Sequence, residues 1–382
     1  MKHLILWEDP HGHLAFPALA AGRDGAILLF CRRARDPRWA IPEGLNAVGW
    51  LSHWDPRSCI TFGTIKNIDD HIEEKPDNVG IVPIDPDYAD QDASLLRLSD
   101  GSLLLCSFGW YPFTSGSTSF TAPPSTTESL TSHGTAGTLQ LTSFICWGAF
   151  TLATRDEGIT WSPRNAFPPL NPNEQTRSLQ NRGATRGTLV ERNGTVMGLA
   201  YALGAGGKYG AHVFRITHGG DCEWGASLSM PEDIGNGSLL EPSLVATDEG
   251  DLIAFFRTSK IDDRIVSARS TDSGATFGEW TSHQAVGHPC MPLRLRDGRI
   301  AIAYGYRQKP YGIRLRVMKS DGRNLDDAKE IILRDDGRGA DLGYPWMLEL
   351  DDGRILVAYY WISEDYRRRI EATIIEPETF AG

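Results

Sequence analysis

A strand-turn-strand unit that closes on glycine recurs six times along this chain, and it restricts the possible fold more than any other feature. The copies read FPALAAGRDGAILLFCR from Phe16, DASLLRLSDGSLLLCSF from Asp92, RGTLVERNGTVMGLAY from Arg186, EPSLVATDEGDLIAFFR from Glu241, PCMPLRLRDGRIAIAYG from Pro289 and YPWMLELDDGRILVAYY from Tyr344. Each pairs two apolar runs of strand length across a polar turn, and glycine supplies the positive φ that a tight hairpin needs. The copies lie roughly fifty to ninety residues apart, too far for a solenoid and suited to a radial array in which each supplies the inner hairpin of one blade. The expected fold is therefore all-β, a six-bladed β-propeller formed as one domain by residues 1–382.

The segments between copies supply outer strands and a second motif. FTLATRDEGITW from Phe150 and IVSARSTDSGATF from Ile265 share S/T-x-D-x-G-x-T-W/F, in which Asp and Thr bond the backbone of a tight turn and the aromatic packs beneath. Worn versions follow Thr217 and Lys319. These turns read as structural. Helix signals are nearly absent, and the stretch at about 111–139, rich in Ser, Thr, Gly and Pro, reads as a mobile loop over one face.

Aligning the six copies on their turn glycines brings a set of residues to the open ends of the hairpins. Phe16, Asp92, Arg186, Glu241, Pro289 and Tyr344 stand just before the first strands; Arg32, Phe108, Tyr201, Arg257, Gly305 and Tyr360 stand seven residues after the glycines. A radial array collects both sets around one mouth of the central channel, with the turns roughly 20 Å away at the rise of an extended strand. Asp92, Glu241 and Tyr344 thus meet Arg32, Arg186 and Arg257. Charged side chains are almost never buried unpaired, so two readings stand: a ring of ion pairs that closes the channel, or a polar pocket in which arginines grip an anion and carboxylates move protons. His288 adjoins this mouth as a substrate-binding candidate, Arg307 and Tyr306 end the fifth hairpin and line the pocket, Arg307 as a further substrate-binding candidate, and Asp341 precedes Tyr344 closely enough to orient its loop.

This plan resembles the sialidase (neuraminidase) superfamily, six-bladed propellers with repeated Asp-boxes. The segment EPSLV…DLIAFFR resembles the family's segment with a glutamate before an inner strand and an arginine of the carboxylate-binding triad at the end of the next, which assigns Glu241 and Arg257. GYPWMLELDDGRI resembles the segment with the nucleophilic tyrosine, here Tyr344, and YGIRLRVMKSD the segment with the third triad arginine, here Arg314. The resemblance implies an exo-glycosidase acting on a terminal, acidic sugar. A sialic acid carries a carboxylate on its anomeric carbon, which would repel an anionic nucleophile; a neutral tyrosine activated by a glutamate avoids this. Two places depart from the pattern. Leu14-Ala15-Phe16-Pro17 stands where the family has Phe-Arg-Ile-Pro, so the first arginine is missing, and Arg32 and Arg186 are the candidates to substitute for it. Asp36, Asp55, Asp69 and Asp70 all lie in the interval of the family's acid/base aspartate, and Asp92, at the mouth, is the preferred proton donor. A carbohydrate-binding propeller without catalysis, and a uronic-acid lyase or neutral-sugar glycosidase on the same scaffold, are the alternatives.

Bulk properties narrow the partners. A net charge of −11 argues against a nucleic-acid or anionic-membrane surface. The N-terminus has no apolar segment of signal-peptide length and no run reaches spanning length. Six cysteines without CxxC spacing, most in apolar runs, suit a reduced, cytoplasmic protein. His11-Gly12-His13 has chelating spacing but no further ligand, and no Gly-rich loop precedes a helix. Neither metal nor cofactor is expected; the partner expected is a glycan.

Overall fold

The computed structural model describes residues 1–36, 55, 57–71, 74–114, 128–129, 142–171, 182–204, 207–217, 220–364 and 366–380. The protein is a six-bladed β-propeller. Each of the six expected hairpins forms the inner pair of a blade, and all six turn glycines, Gly25, Gly101, Gly194, Gly250, Gly298 and Gly353, lie at positive φ between 73° and 93°. Blade one runs Gly12–Ala21, Ile27–Arg35, Cys59–Ile65 and Asp77–Ile81; blade four runs Leu239–Ala246, Leu252–Thr258, Arg264–Ser270 and Gly278–Val286; blade five runs Cys290–Arg294, Ile300–Tyr306, Tyr311–Met318 and Ile331–Gly337. In blade two Leu103–Thr114 and Thr142–Thr154 follow two short inner strands, Ala89–Asp90 and Ser94–Arg97; in blade three Thr195–Leu203, Tyr209–Ile216 and Cys222–Leu228 follow Ala184–Thr185 and Val190–Arg192.

Blade six closes the ring. Its inner strands Gly343–Glu349, Ile355–Ile362 and Arg368–Ile375 come from the end of the chain, and its outermost strand is the first of all, Lys2–Trp7, paired antiparallel from Lys2↔Ile374 onward. The inner strands carry the core: Leu14, Leu29, Ala254, Phe256, Ile302, Tyr304, Val357 and Tyr359 are fully excluded from solvent.

The Asp-boxes brace the turns as expected. Asp156 Oδ1 accepts from the Thr160 amide at 2.8 Å, Asp156 Oδ2 from the Thr160 hydroxyl at 2.6 Å, and Trp161 donates to Gly158 O at 3.0 Å while packing on Phe30 and Phe62 of blade one. Asp272 repeats the pattern with Ser270 and Thr276. At 111–139 the expectation needs correction at its ends. Strand Leu103–Thr114 runs into the stretch, and Glu128–Ser129 pairs with Thr142–Thr154, because ladder bonds to the neighbouring strand continue past the polar composition that suggested a loop. The remainder lies outside the described residues. Among the described residues no helix is long and apolar enough to cross a membrane.

The innermost strands leave regular pairing at one shared level. In blade one Ala15 faces Arg32, yet Ala18, three residues on, faces Phe30, only two residues back. The same one-residue excess occurs between Leu240 and Ser243 and between Gly343 and Trp346. The bulged residues are Phe16, Glu241 and Tyr344, all at positive φ (57°, 41° and 50°) and all followed by proline. Proline has no amide to give a ladder, so it belongs at a bulge. In blades two and three the innermost strand is broken at Asp92 and at Arg186-Gly187. The residues expected just before the strands therefore sit inside bulged strands or in breaks, and the irregularity turns their side chains toward the axis.

Gly343 shows how tightly one such bulge is held. Its φ is 108°, and an added Cβ would lie 3.0 Å from Gly305 Cα in blade five. Gly25 also has positive φ but has open space around it. Gly25→Ala is expected to cost about 1–2 kcal/mol, the backbone penalty alone, and Gly343→Ala about 3 kcal/mol or more because blades five and six must also move apart. Denaturant titration of both variants checks this; equal losses would show that the interblade contact carries no weight.

Candidate active site

The five irregular positions deliver one cluster. Tyr344 Oη donates to Glu241 Oε1 in a buried hydrogen bond between blades six and four. Arg257, at the open end of Glu241's own hairpin, donates from Nη1 to both carboxylate oxygens at 2.9 and 3.0 Å and to Tyr344 Oη at 3.3 Å. Arg186 from blade three lies 4.8 Å over the Tyr344 ring, donates to Pro345 O, and brings Nε within 3.9 Å of Asp92 Oδ2. Arg307 from blade five lies 5.3 Å over the same ring. Phe16 closes the last side, its ring centroid 4.5 Å from that of Tyr344.

A further layer fixes these groups. Arg307 donates to Leu342 O and to Tyr360 Oη; Tyr360 donates to Asp341 at 2.8 Å, and Arg368 holds the other Asp341 oxygen at 2.8 Å. Asp341 thus orients the loop before Tyr344, as its position suggested. The part of Arg368, on the third strand of blade six, was not read from the sequence: nothing in the repeat pattern marks a third strand.

Burial and neighbouring charge set the protonation states. Burial pushes the Glu241 carboxyl up, but Arg257, the Tyr344 hydrogen bond and Arg186 outweigh it, and the net shift is downward. Tyr344 is raised, first by burial and then by the Glu241 charge, so its phenol is protonated at rest and its proton points at a carboxylate. Asp92 is raised to about 7, chiefly by burial and then by Glu241, against the pull of Arg186, Arg32 and Arg257. Two carboxylates in one pocket are thus held in opposite states near neutral pH, one charged and one poised to give a proton. His288 is lowered to about 3 by burial and by Arg257 and Arg307, so it is neutral; neither ring nitrogen has a hydrogen-bond partner, and Nε2 lies 3.5 Å from Asp263. Arg186 Nη1 and Arg257 Nε are likewise buried donors without a partner.

The other candidates fall elsewhere. Arg32 is fully buried beneath the mouth in blade one, where Asp55, Asp92 and Asp90 act on its charge and its guanidinium lies 6.0 Å from the Phe16 ring. Arg314 is not brought to the cluster. Its guanidinium folds back over Gly312 to donate to the carbonyls of Ile313, Arg334 and Pro310, stacks on Tyr306 and lies 3.8 Å from Glu330. Only glycine at 312 leaves room for that fold, since a Cβ there would stand 2.6 Å from Arg314 Nη1. Arg307 occupies the place expected of Arg314. Of the aspartates in the blade-one interval, Asp55 is clamped by Arg35, Asp69 by Arg354, and Asp70 accepts from Asn67. Asp92 alone among the candidates with a resolved shift is buried and raised.

Comparison with known proteins agrees with the architecture. The model of the BNR repeat-like domain matches residues 132–357, more than half of the chain. A protein of unknown function from Dyadobacter fermentans is similar at 29% identity and a TM-score of 0.83, with 98% of each chain covered. NanB sialidase from Streptococcus pneumoniae is similar at 13% identity and a TM-score of 0.62, over 98% of this chain and 70% of that one. The intramolecular trans-sialidase from Ruminococcus gnavus, solved with oseltamivir carboxylate, is similar at 12% identity and a TM-score of 0.59, over 96% and 95%. No curated protein matches the chain in sequence. Six glycine-closed hairpins, braced Asp-box turns and a matched repeat model lead to one conclusion: the chain belongs to the BNR repeat-like family, as a six-bladed propeller of sialidase-like fold.

Proposed function

We propose that this protein is a sialidase-like exo-glycosidase that hydrolyses a terminal, acidic sugar from a glycan. The observation that carries the reading is the buried hydrogen bond from Tyr344 Oη to the Glu241 carboxylate. A phenol is a poor nucleophile until its proton is taken, and a carboxylate kept ionised by Arg257 takes it as the oxygen attacks. Tyr344 Oη bonds to the anomeric carbon while Asp92 gives its proton to the departing glycosidic oxygen. Water then attacks the glycosyl-tyrosine, Asp92 takes a proton from it, and Tyr344 recovers its own from Glu241. Arg186, Arg257 and Arg307 surround the nucleophile with positive charge, which suits a sugar that carries an anion beside the reacting carbon. A sialidase among the similar structures is described as a covalent intermediate with 2,3-difluorosialic acid, chemistry that this pocket has the groups to perform.

One observation favours a second reading. Ala15 stands where the family pattern has an arginine, and Arg257 is already engaged by Glu241, so the grip on an anion is thinner than the pattern requires. A carbohydrate-binding propeller without turnover, or an enzyme for a uronic acid or a neutral sugar, would tolerate this.

A panel of aryl glycosides, including aryl sialosides and glucuronides, separates these readings. Turnover of a sialoside is expected, reduced at least about 10³-fold by Tyr344→Phe and about 10²- to 10⁴-fold by Glu241→Gln. If no glycoside is cleaved and Tyr344→Phe leaves glycan affinity unchanged, the binding module is the correct reading.

The pH profile tests Asp92 separately. Its folded pKa of about 7 means that the acid form is present below that pH and lost above it, so kcat/KM with a poor leaving group should fall as pH rises through 7. Asp92→Asn should abolish that alkaline limb and lower the rate. A nitrophenyl leaving group, which departs without protonation, should recover much of the loss. An unchanged alkaline limb in Asp92→Asn would assign the acid elsewhere.

A further inference from the structure

A second constellation with chemical character lies between blades four and five, and no residue of the mouth takes part in it. Ser267 and Arg269 are two residues apart on strand Arg264–Ser270, and Thr281 and His283 two apart on strand Gly278–Val286, so strand alternation puts each pair on one face. Ser267 is paired directly with Thr281. The four residues line a cavity of about 250 Å³ whose far wall is the turn of blade five, with Gly322, Arg323, Asp326 and Asp327.

Within this cavity three side chains form a chain of contacts. Ser267 Oγ is 2.8 Å from His283 Nε2, and His283 Nδ1 is 3.5 Å from Asp326 Oδ2. Asp326 is itself oriented: its other oxygen, Oδ1, accepts from the amides of Gln284 and Ala285 at 2.8 and 3.4 Å. That leaves Oδ2 facing the imidazole, which favours the tautomer with Nδ1 protonated and Nε2 free to accept. Burial, opposed by Asp326, holds His283 below its ordinary pKa, so it is neutral at pH 7. A nucleophile in hydrogen-bond contact with a base that a third group orients is the general form of an activated serine.

We infer that Ser267, His283 and Asp326 form a second catalytic site, an acyl-transfer site that hydrolyses short-chain carboxylic esters. The cavity of about 250 Å³ has room for a small acyl group. Ser267 Oγ adds to the ester carbonyl carbon while its proton passes to His283 Nε2; the bond to the alcohol oxygen breaks and the alcohol leaves with that proton. Water, deprotonated by His283, then adds to the acyl-serine. The bond from Oγ to the acyl carbon breaks, Ser267 regains a proton from His283, and the carboxylic acid departs. Arg269 and Arg323 line the same cavity, paired there with Asp251 and Glu279.

The test uses the intact protein, a fluorophosphonate probe and p-nitrophenyl acetate. The probe should phosphonylate Ser267, located by peptide mass spectrometry, as the Oγ–P bond forms and fluoride leaves. His283→Ala should lose the adduct, and acetate-ester hydrolysis should fall at least about 50-fold in Ser267→Ala and His283→Ala. Aryl-glycoside turnover should be retained in Ser267→Ala. Absence of an adduct on Ser267 in the unmodified protein overturns the inference, and needs no variant to fold. Ester hydrolysis at the unmodified rate in a folded Ser267→Ala overturns it equally, and would leave the three residues as an interblade hydrogen-bond chain.

Discussion

The candidate site at the mouth depends on a shared defect in regular pairing. A β-strand places successive side chains on opposite faces, and a blade packed on both sides sends neither set down the propeller axis. Phe16, Glu241 and Tyr344 escape this through bulges at positive φ, Asp92 and Arg186 through breaks in their strands. Each non-glycine residue in that conformation costs about 1–3 kcal/mol, and a following proline normally drives its predecessor to extended backbone. Such strain persists only where surrounding structure enforces it. Blade six is locked beside blade one by Lys2–Trp7 pairing with Arg368–Ile375 and by Trp346 donating to Leu19 O, which holds the bulges of Phe16 and Tyr344 on either side of that seam.

The second constraint is electrostatic. Two carboxylates and three arginines around one phenol would be prohibitively expensive to bury as isolated ions. The cluster resolves this by pairing Glu241 with Arg257 and by leaving Asp92 able to hold its proton. The choice of which carboxylate is neutral follows from distance to donors: Glu241 receives hydrogen bonds from Arg257 and Tyr344, while the nearest guanidinium nitrogen to Asp92 is Arg186 Nε at 3.9 Å. Pairing and protonation thus give the pocket a base and an acid. The same division also explains why a ring of ion pairs is an incomplete description: Arg186 Nη1, Arg257 Nε and both nitrogens of His288 remain unmatched inside it.

The fold was legible in the sequence because its repeat is local. Each hairpin carries its own glycine at its own turn, and each Asp-box its own Asp, Thr and aromatic, so neither needs knowledge of the rest of the chain. Glu241, Arg257 and Tyr344 were legible because hairpin ends in a radial array must share a mouth. Arg314 was misplaced for the converse reason. Strand register puts it near the mouth, but the carbonyls of Ile313 and Arg334 capture its guanidinium, and Arg307, read from the sequence at the end of the fifth hairpin, is the arginine of that blade that faces Tyr344. Ser267, His283 and Asp326 were invisible for a related reason: two strands of one blade and a turn of the next bring them together, with no repeat to flag them.

Ala15 bears on what the mouth can hold. In this chain Ala15 is fully buried and faces Arg32 across the inner pair of blade one, with the Phe16 ring lying against Tyr344. Among the described residues blade one thus sets Phe16 against the Tyr344 ring, while blades three, four and five supply the guanidinia nearest that ring. Under the proposed function, a ligand anion would meet these guanidinia and a less polar face of the sugar the Phe16 ring.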